Sequence, residues 1–344
     1  MRKLASVQKI LNIEKHPNAD SLEIASILGW KVVTKLGEFK IGDEVVYFEV
    51  DSILPKRPEF SFLEKANYRI KAIKLRGIIS MGICFPKSIL GLDIMENYHE
   101  GDDVTDFLEV LKYEPPISGN LMGKIEGPFP HFLIKSDEDR LQGIPSLFEL
   151  YKKIHGYMTE KLDGSSVTYY YTHENDHFGI CSRNLEFKND ASNSDNLIYK
   201  QAIKENINEK LKKYSVDHST DLAVQGELIG EKVQKNRYKI KGNEYFLFSI
   251  YNITERKYLG FMDFIKIIDK LNLKVVPVLI NPSTKFYSIE EFLEFVRGLH
   301  SEINTELAVE GIVWKSLLEM YNYETTTHRT SFKVLNPDWM LSEK

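Results

Sequence analysis

Cysteine is nearly missing from this sequence: Cys84 and Cys181 are the two in 344 residues. That scarcity excludes a disulfide framework and a cysteine zinc site, and makes a reducing intracellular compartment, cytoplasmic or nuclear, the expectation. Long apolar runs are missing as well. No stretch reaches membrane-spanning length and the opening MRKLASVQKI has no signal-peptide core, so no membrane partner is expected. Nor is there an excess of basic charge: 45 Lys and Arg face 50 Asp and Glu, a net charge of −5. Nucleic-acid binding by such a chain must rest on local patches. Internal repeats and low-complexity tracts do not occur. The histidines, among them His16, His155 and His328, show no metal-ligand spacing.

What is present is ordinary globular material, 42% hydrophobic and 28% charged, with length for two domains. Two basic patches interrupt it. Between positions 51 and 80, Lys56, Arg57, Lys65, Arg69, Lys71, Lys74 and Arg76 oppose Asp51, Glu59 and Glu64. The run EKVQKNRYKIK at 231–241 holds five basic residues against one acidic. Each patch reads either as a solvated face or as a polyanion contact.

Residues 1–112 read as short strands with β-branched content, punctuated by Gly and Pro, which predicts a small antiparallel barrel. On the strand YRIKAIKLRGIISMGICFP, Lys71, Lys74 and Arg76 are expected on one face, with Ile70, Ile73 and Leu75 toward the core. A linker is expected at 113–134, where YEPPISGNLMGKIEGPFP lacks periodicity and holds four of the twelve prolines. Residues 135–344 mix strands with amphipathic helices, for example NLIYKQAIKENINEKLKKYS, and predict an α+β domain.

The chemistry-bearing segments fall mostly on the strands of that second domain. MTEKLDGSS places Lys161 ahead of an Asp-Gly step, which most often marks only a hairpin turn. Lys-x-Asp-Gly alone is weak evidence. It is followed in order by Ser182-Arg183-Asn184, QGEL with Glu227, and the Phe-rich YFLFSIY. EGIVWK then supplies Glu310 and Lys315, and SFKVLN supplies Lys333. The ordered set is highly specific.

Across roughly residues 135–340 this set resembles the covalent nucleotidyltransferase superfamily of ATP-dependent DNA ligases, RNA ligases and mRNA-capping guanylyltransferases. HPNADSLEIASILGW, GDEVVYFEVDSILP and KLRGIISMGICFP resemble the OB domain that one RNA ligase family carries ahead of its catalytic domain. HPNADSLE is also similar to OB-type tRNA-binding modules. DNA ligases and capping enzymes resemble each other in carrying an OB domain after the last lysine motif. Eleven residues follow Lys333, too few for a barrel, so the expectation is an RNA ligase with an N-terminal OB fold and a ligase-type nucleotidyltransferase domain. A DNA ligase or guanylyltransferase is the alternative enzyme. A non-catalytic RNA-binding protein with a vestigial ligase domain is the alternative of another class.

The resemblance implies roles. Lys161 attacks the α-phosphorus of ATP, AMP passes to an RNA 5′-phosphate, and a 3′-OH displaces it; the protein acts as a monomer. The amine must first lose its proton, although a free lysine titrates at about 10.4, so desolvation or a nearby cation has to act on it. Asp163, Glu227 and Glu310 organise a Mg²⁺ or Mn²⁺ ion, partly through its waters. Arg183 approaches the ribose or phosphates, Phe248 stacks on adenine, and Ile312 or a neighbour covers the other face. Glu160 contacts the adenine edge, and Lys315 and Lys333 bind the α-phosphate. Arg140, 21 residues before Lys161, reaches the β- or γ-phosphate. One feature departs from the family pattern: many relatives carry two lysines two residues apart in the last motif, and here Ser331 holds the earlier place. Lys333 then acts alone or Arg329 compensates.

Overall fold

The computed structural model describes residues 3–114, 121, 123–279 and 285–342, so part of the expected linker (115–120 and 122) lies outside the described residues. Contacts divide the chain into two compact units. One comprises Met1–Pro116, Arg140–Phe148 and Pro337–Lys344; the other comprises Ile117–Asp139 and Glu149–Asn336. This division is not the sequential one expected. Two short segments from the expected second domain, Arg140–Phe148 and Pro337–Lys344, group with the first unit. Gln142 O accepts from Gly29 N at 3.2 Å, and Met340 packs on the cluster around Trp30 and Tyr47. Which core a short segment joins depends on non-local packing that local composition does not record.

In the first unit the strands are β1 (Ala5–Lys15), β2 (Leu22–Ile27), β3 (Trp30–Lys35), β4 (Glu44–Phe48), β5 (Ser52–Ile53), β6 (Ile73–Leu75), β7 (Ile78–Ser80), β8 (Ile83–Pro86) and β9 (Leu111–Lys112). Five form an antiparallel sheet in the order β3-β2-β1-β4-β8. Strand β1 is shared: Ala5–Lys9 pair with β4 and Ile10–Lys15 with β2. A register shift between Ile10 and Asn12 sharpens the local bend. Strand β4 is buried on both faces, Val45 and Tyr47 in one cluster and Val46 and Phe48 in another. The stretch expected as one strand over 68–86 is broken into β6, β7 and β8 by Arg76-Gly77 and Gly82, all at positive φ. Ile70 is in the core as expected, but Ile73 is exposed beside Lys71, Lys74 and Arg76 on the β6–β7 hairpin.

In the second unit the strands are β10 (Ile125–Pro128), β11 (Gly156–Lys161), β12 (Ser165–Thr172), β13 (His177–Ser182), β14 (Leu185–Phe187), β15 (Leu222–Gly230), β16 (Asn243–Asn252), β17 (Lys257–Tyr258), β18 (Val278–Leu279), β19 (Gly311–Ser316) and β20 (Ser331–Leu335). They form a seven-stranded antiparallel sheet, β10-β14-β13-β12-β15-β16-β17, and a four-stranded one, β18-β11-β19-β20. Helices Leu197–Lys204, Ile207–His218 and Phe261–Leu271 pack on the larger sheet through Ala202, Leu211, Ile267 and Leu271. The single helix expected over NLIYKQAIKENINEKLKKYS is two, divided at Asn206, whose φ is 53°. On the smaller sheet Trp314 stacks on Phe332 with ring centroids 5.1 Å apart, and Phe292 of helix Ile289–Arg297 meets Phe332 edge-on. Among the described residues no helix is long and apolar enough to cross a membrane.

Strands β15 and β16 make the most intimate pairing of the large sheet, and Gly226 permits it. A Cβ at that position would lie 2.5 Å from Phe246 O, which the ladder holds in place. Gly226→Ala is expected to destabilise the protein by roughly 1–3 kcal/mol, the usual cost of overpacking. Thermal unfolding of the variant should show a midpoint several degrees lower; an unchanged midpoint would contradict the close approach.

Candidate active site

The Asp-Gly step after Lys161 is not a hairpin. Lys161 ends β11 in the four-stranded sheet and Ser165 opens β12 in the seven-stranded one, so Leu162-Asp163-Gly164 carries the chain from one sheet to the other. Gly164 is needed because a Cβ there would collide with Leu228 O and the Ile229 side chain. Strand pairing then gathers three carboxylates. Asp163 lies in the crossing itself. Glu227 on β15 is opposite Ser166. Glu310 directly precedes Gly311, the partner of Lys161 on β19.

Lys161 Nζ lies 2.5 Å from Glu310 Oε1, with Glu310 buried. Burial acts to lower the pKa of the lysine, but the fields of Glu310, Glu227 and Asp163 outweigh it and hold the amine above its ordinary range. Burial dominates the carboxyls, pushing Glu227 up to about 8 and Glu310 up to about 7, with Lys161 pulling each back. Glu310 Oε2 is buried and makes no hydrogen bond. Among the described residues no three His, Cys, Asp or Glu side chains are placed as direct ligands of one metal ion. The three carboxylates therefore do not form an inner-sphere cage. They make an anionic wall with an unfilled acceptor, which fits a hydrated cation better than a dehydrated one.

The period of two sorts the remaining residues of the small sheet. Register pairs Lys161 with Gly311, Thr159 with Val313 and Lys333, and Tyr157 with Lys315 and Ser331. Side chains alternate, so Lys161, Val313, Lys315, Ser331 and Lys333 share one face. Met158, Glu160, Ile312, Trp314, Phe332 and Val334 share the reverse face. Ile312, expected to cover a base, is thus wholly buried on the reverse face. Its neighbour Val313, half-buried, is the residue beside Lys161 and Lys333.

Phe246 and Phe248 divide as core and surface: Phe246 is buried and Phe248 half-buried. Gln225 pairs with Ser249 but Gly226 with Leu247, which leaves Phe248 as the extra residue of a bulge. The bulge puts Phe248 and Ser249 toward Lys315. The buried Lys315 amine donates to Phe248 O at 2.5 Å and to Ser249 Oγ at 2.9 Å, 5.6 Å from the Phe248 ring. Burial, then the Arg329 charge, push Lys315 down to about 7. This amine holds the bulge and does not point into open space.

Arg329 does not stand in for the absent lysine. Buried, it donates from Nε and Nη2 to both Glu319 oxygens, at 2.9 and 2.7 Å, and from Nη1 to Ser249 Oγ at 3.0 Å. Ser331 Oγ donates to Glu138 Oε2 at 2.5 Å. Arg183, half exposed on the β13–β14 turn, pairs with Asp137 at 2.9 Å. Arg140 belongs to the first unit, where its Nη2 is 3.4 Å from Asp51 Oδ2. Glu160 is buried; Oε2 accepts from Glu302 N at 2.9 Å, and Oε1 has no partner. Burial raises its pKa.

Tyr238 escaped the sequence reading. Its hydroxyl accepts from Asp163 N at 2.8 Å and so pins the sheet crossing. Only the charge of EKVQKNRYKIK stood out, and nothing local marks the tyrosine as buried. Val313 could have been found by alternation from Lys315.

The Lys315 shift has a stability consequence. Its pKa is depressed when folded and returns toward 10.5 on unfolding, so the unfolded chain binds the extra proton between about pH 7 and 10.5. This group therefore costs stability at pH 7, and the cost fades as pH rises through that window. Lys315→Met should gain in thermal midpoint relative to the native protein at pH 7.5 compared with pH 9.5. A difference between the two proteins that does not vary with pH would show that the amine is not desolvated.

Known proteins share this arrangement. An OB-fold domain family matches residues 4–87 and the RNA ligase family matches residues 155–335. No curated protein sequence matches the chain. Solved structures of a Naegleria gruberi RNA ligase do. A mutant with AMP and Mn is 33% identical, with TM-score 0.85 and 99% of each chain covered. The ligase with PPi is 33% identical at TM-score 0.84, covering 100% of this chain and 99% of that one. A mutant with ATP and Mn is 32% identical at TM-score 0.84, again with 99% of each covered. With an OB fold ahead of a two-sheet unit built around Lys161, Asp163, Glu227 and Glu310, the chain belongs to the RNA ligase family.

Proposed function

We propose that the chain is an ATP-dependent RNA ligase that joins a 3′-OH to a 5′-phosphate in RNA repair, acting as a monomer. The observation that carries this reading is Lys161 at the crossing between the sheets, in contact with Glu310 and within the fields of Glu227 and Asp163. In the first step the Lys161 amine bonds to the α-phosphorus of ATP, pyrophosphate leaves and the amine loses its proton. Next an oxygen of the RNA 5′-phosphate takes the AMP and frees the lysine. Finally the 3′-OH attacks the phosphorus of the RNA 5′-phosphate, AMP departs with the bridging oxygen and the phosphodiester forms. The relatives solved with ATP, AMP and PPi carry the reactant and the products such a sequence needs.

The acidic groups around Lys161 favour its ammonium form, and this has to be relieved before attack. A bound Mg²⁺ or Mn²⁺ would supply positive charge that cancels the carboxylate fields and neutralises phosphate oxygens. Asp163, Glu227 and Glu310 would hold it, largely through its waters. Lys333, on the Lys161 face, is the side chain for the α-phosphate. Phe248 and Val313 are the two sides of an adenine slot. Arg183 on its exposed turn is kept for the ribose or phosphates. Lys71, Lys74 and Arg76 of the OB unit, exposed and without an ion pair among the described residues, are set for the RNA backbone. Both cysteines are free and buried, as suits a reducing compartment.

Incubation with α-labelled ATP and a divalent metal should leave a label on the native protein after denaturing electrophoresis. Lys161→Met keeps the volume, loses the amine and should carry none; label on that variant would refute the nucleophile assignment.

Because Glu227 and Glu310 are held near 8 and 7, protons compete with metal at neutral pH. The metal concentration for half-maximal adenylylation should fall as pH rises from about 6 to 9. The same concentration at every pH would mean that these carboxylates do not take part.

A further inference from the structure

The basic run at 231–241 joins β15 to β16, and its twelve-residue connection, 231–242, is far longer than a hairpin needs. The chain there is strained: Lys232, Gln234, Asn236 and Lys239 all have positive φ, between 44° and 63°. The inward side chains hold it in that form. Val233 and Tyr238 are buried in the apolar clusters of the unit, and Arg237 Nη2 donates to Ala308 O at 2.8 Å. Two of the inward contacts reach the nucleophile segment. Tyr238 Oη accepts from Asp163 N, and Gln234 Nε2 donates to Gly164 O at 3.1 Å. The loop therefore sits against the sheet crossing that follows Lys161.

Its outward side is charged. Lys232, Lys235 and Lys241 are exposed, and none forms an ion pair among the described residues. Lys239 lies 3.9 Å from Glu306, with both side chains largely exposed, a contact of little energy. The one acidic residue of the run, Glu231, is exposed at its edge. A merely solvated loop needs neither the strained backbone nor two hydrogen bonds to the catalytic crossing. With Val233 and Tyr238 turned inward and Lys232, Lys235 and Lys241 exposed, the loop offers three ammonium groups to a polyanion in solvent next to the segment that follows Lys161.

We propose that loop 231–241 is a phosphate-backbone contact for the RNA being joined, with Lys232, Lys235 and Lys241 as the contacting groups. This rests on the RNA-joining reading above. The loop thus serves two faces: the outer one aligns the polymer and the inner one holds the Lys161–Gly164 crossing in place. Contacts of this kind position a strand and carry no sequence preference.

The test uses the full chain and the triple variant Lys232→Asn, Lys235→Ser, Lys241→Ser; asparagine is chosen at 232 because it tolerates positive φ. Binding of a fluorescent nicked RNA duplex with a 5′-phosphate at the nick is measured between about 50 and 200 mM salt. Each lost phosphate contact removes about 0.7–0.9 from the slope of log affinity against log salt, so the variant's slope should be shallower by about 2. Its KM for ATP in adenylylation should match the native value, and its KM for nicked RNA in sealing should rise. An unchanged salt slope and RNA KM in a variant that adenylylates normally would overturn the proposal and leave the RNA-joining reading intact. A raised KM for ATP with unchanged RNA binding would assign the lysines to the triphosphate and overturn it too. A native protein that takes the label from ATP yet seals no RNA would overturn both.

Discussion

One short contact, the amine of Lys161 against the buried carboxylate of Glu310, organises the second unit. An ammonium and a carboxylate in a desolvated place are tolerated only with close pairing, since either alone would be driven to its neutral form. Here the acids outnumber the base: Glu227 and Asp163 add to Glu310, and the surplus raises Lys161 while burial raises the two glutamates. The charge balance is left incomplete, with Glu310 Oε2 unsatisfied. Positive charge placed beside these carboxyl groups would offset their field and so lower the pKa of the amine.

Sheet geometry makes that contact possible. Lys161 is the last residue of one sheet and Ser165 the first of another, and three residues between them leave no room for drift. Gly164 lets the crossing press against Leu228 and Ile229, and Tyr238 holds it from above through Asp163 N. The bulge at Phe248 does the corresponding work on β16, turning an aromatic ring and Ser249 to the same side. A buried network of Lys315, Ser249, Arg329 and Glu319 then fixes the bulge. Lys315, expected at the α-phosphate, and Arg329, the alternative to the missing lysine, both hold a strand in shape here. Ser331, at the place where many relatives carry a lysine, is bonded to Glu138.

The N-terminal unit shows how far one strand can serve two pairings. Residues Ala5–Lys9 of β1 pair with β4, Ile10–Lys15 pair with β2, and the register shift between them turns the ladder. Doubly buried β4 runs as Val45, Val46, Tyr47 and Phe48 for that reason. Its exposed hairpin with Lys71, Lys74 and Arg76 resulted from breaks at Arg76-Gly77 and Gly82, which convert an apparent alternating strand into three pieces. Positive φ at those positions ends pairing whatever the flanking hydrophobic pattern.

By itself the sequence determined the family and the identity of most chemical groups. The order of Lys161, Asp163, Glu227, Glu310 and Lys333 along separate strands is written in local motifs, and so is the OB pattern ahead of them. Each motif is short, and its residue types are dictated by chemistry at one place. Tertiary structure decided which of those groups face the same way and which are already engaged. Register on β19 puts Ile312 on the buried reverse face and its neighbour Val313 on the face of Lys161. Arg140 went to Asp51 within the first unit and Tyr238 to Asp163, partners far away in sequence, while Arg329 went to Glu319. Such pairings depend on strand register, bulges and the burial of charge, and these are properties of the packed chain with no signature in any single stretch of it.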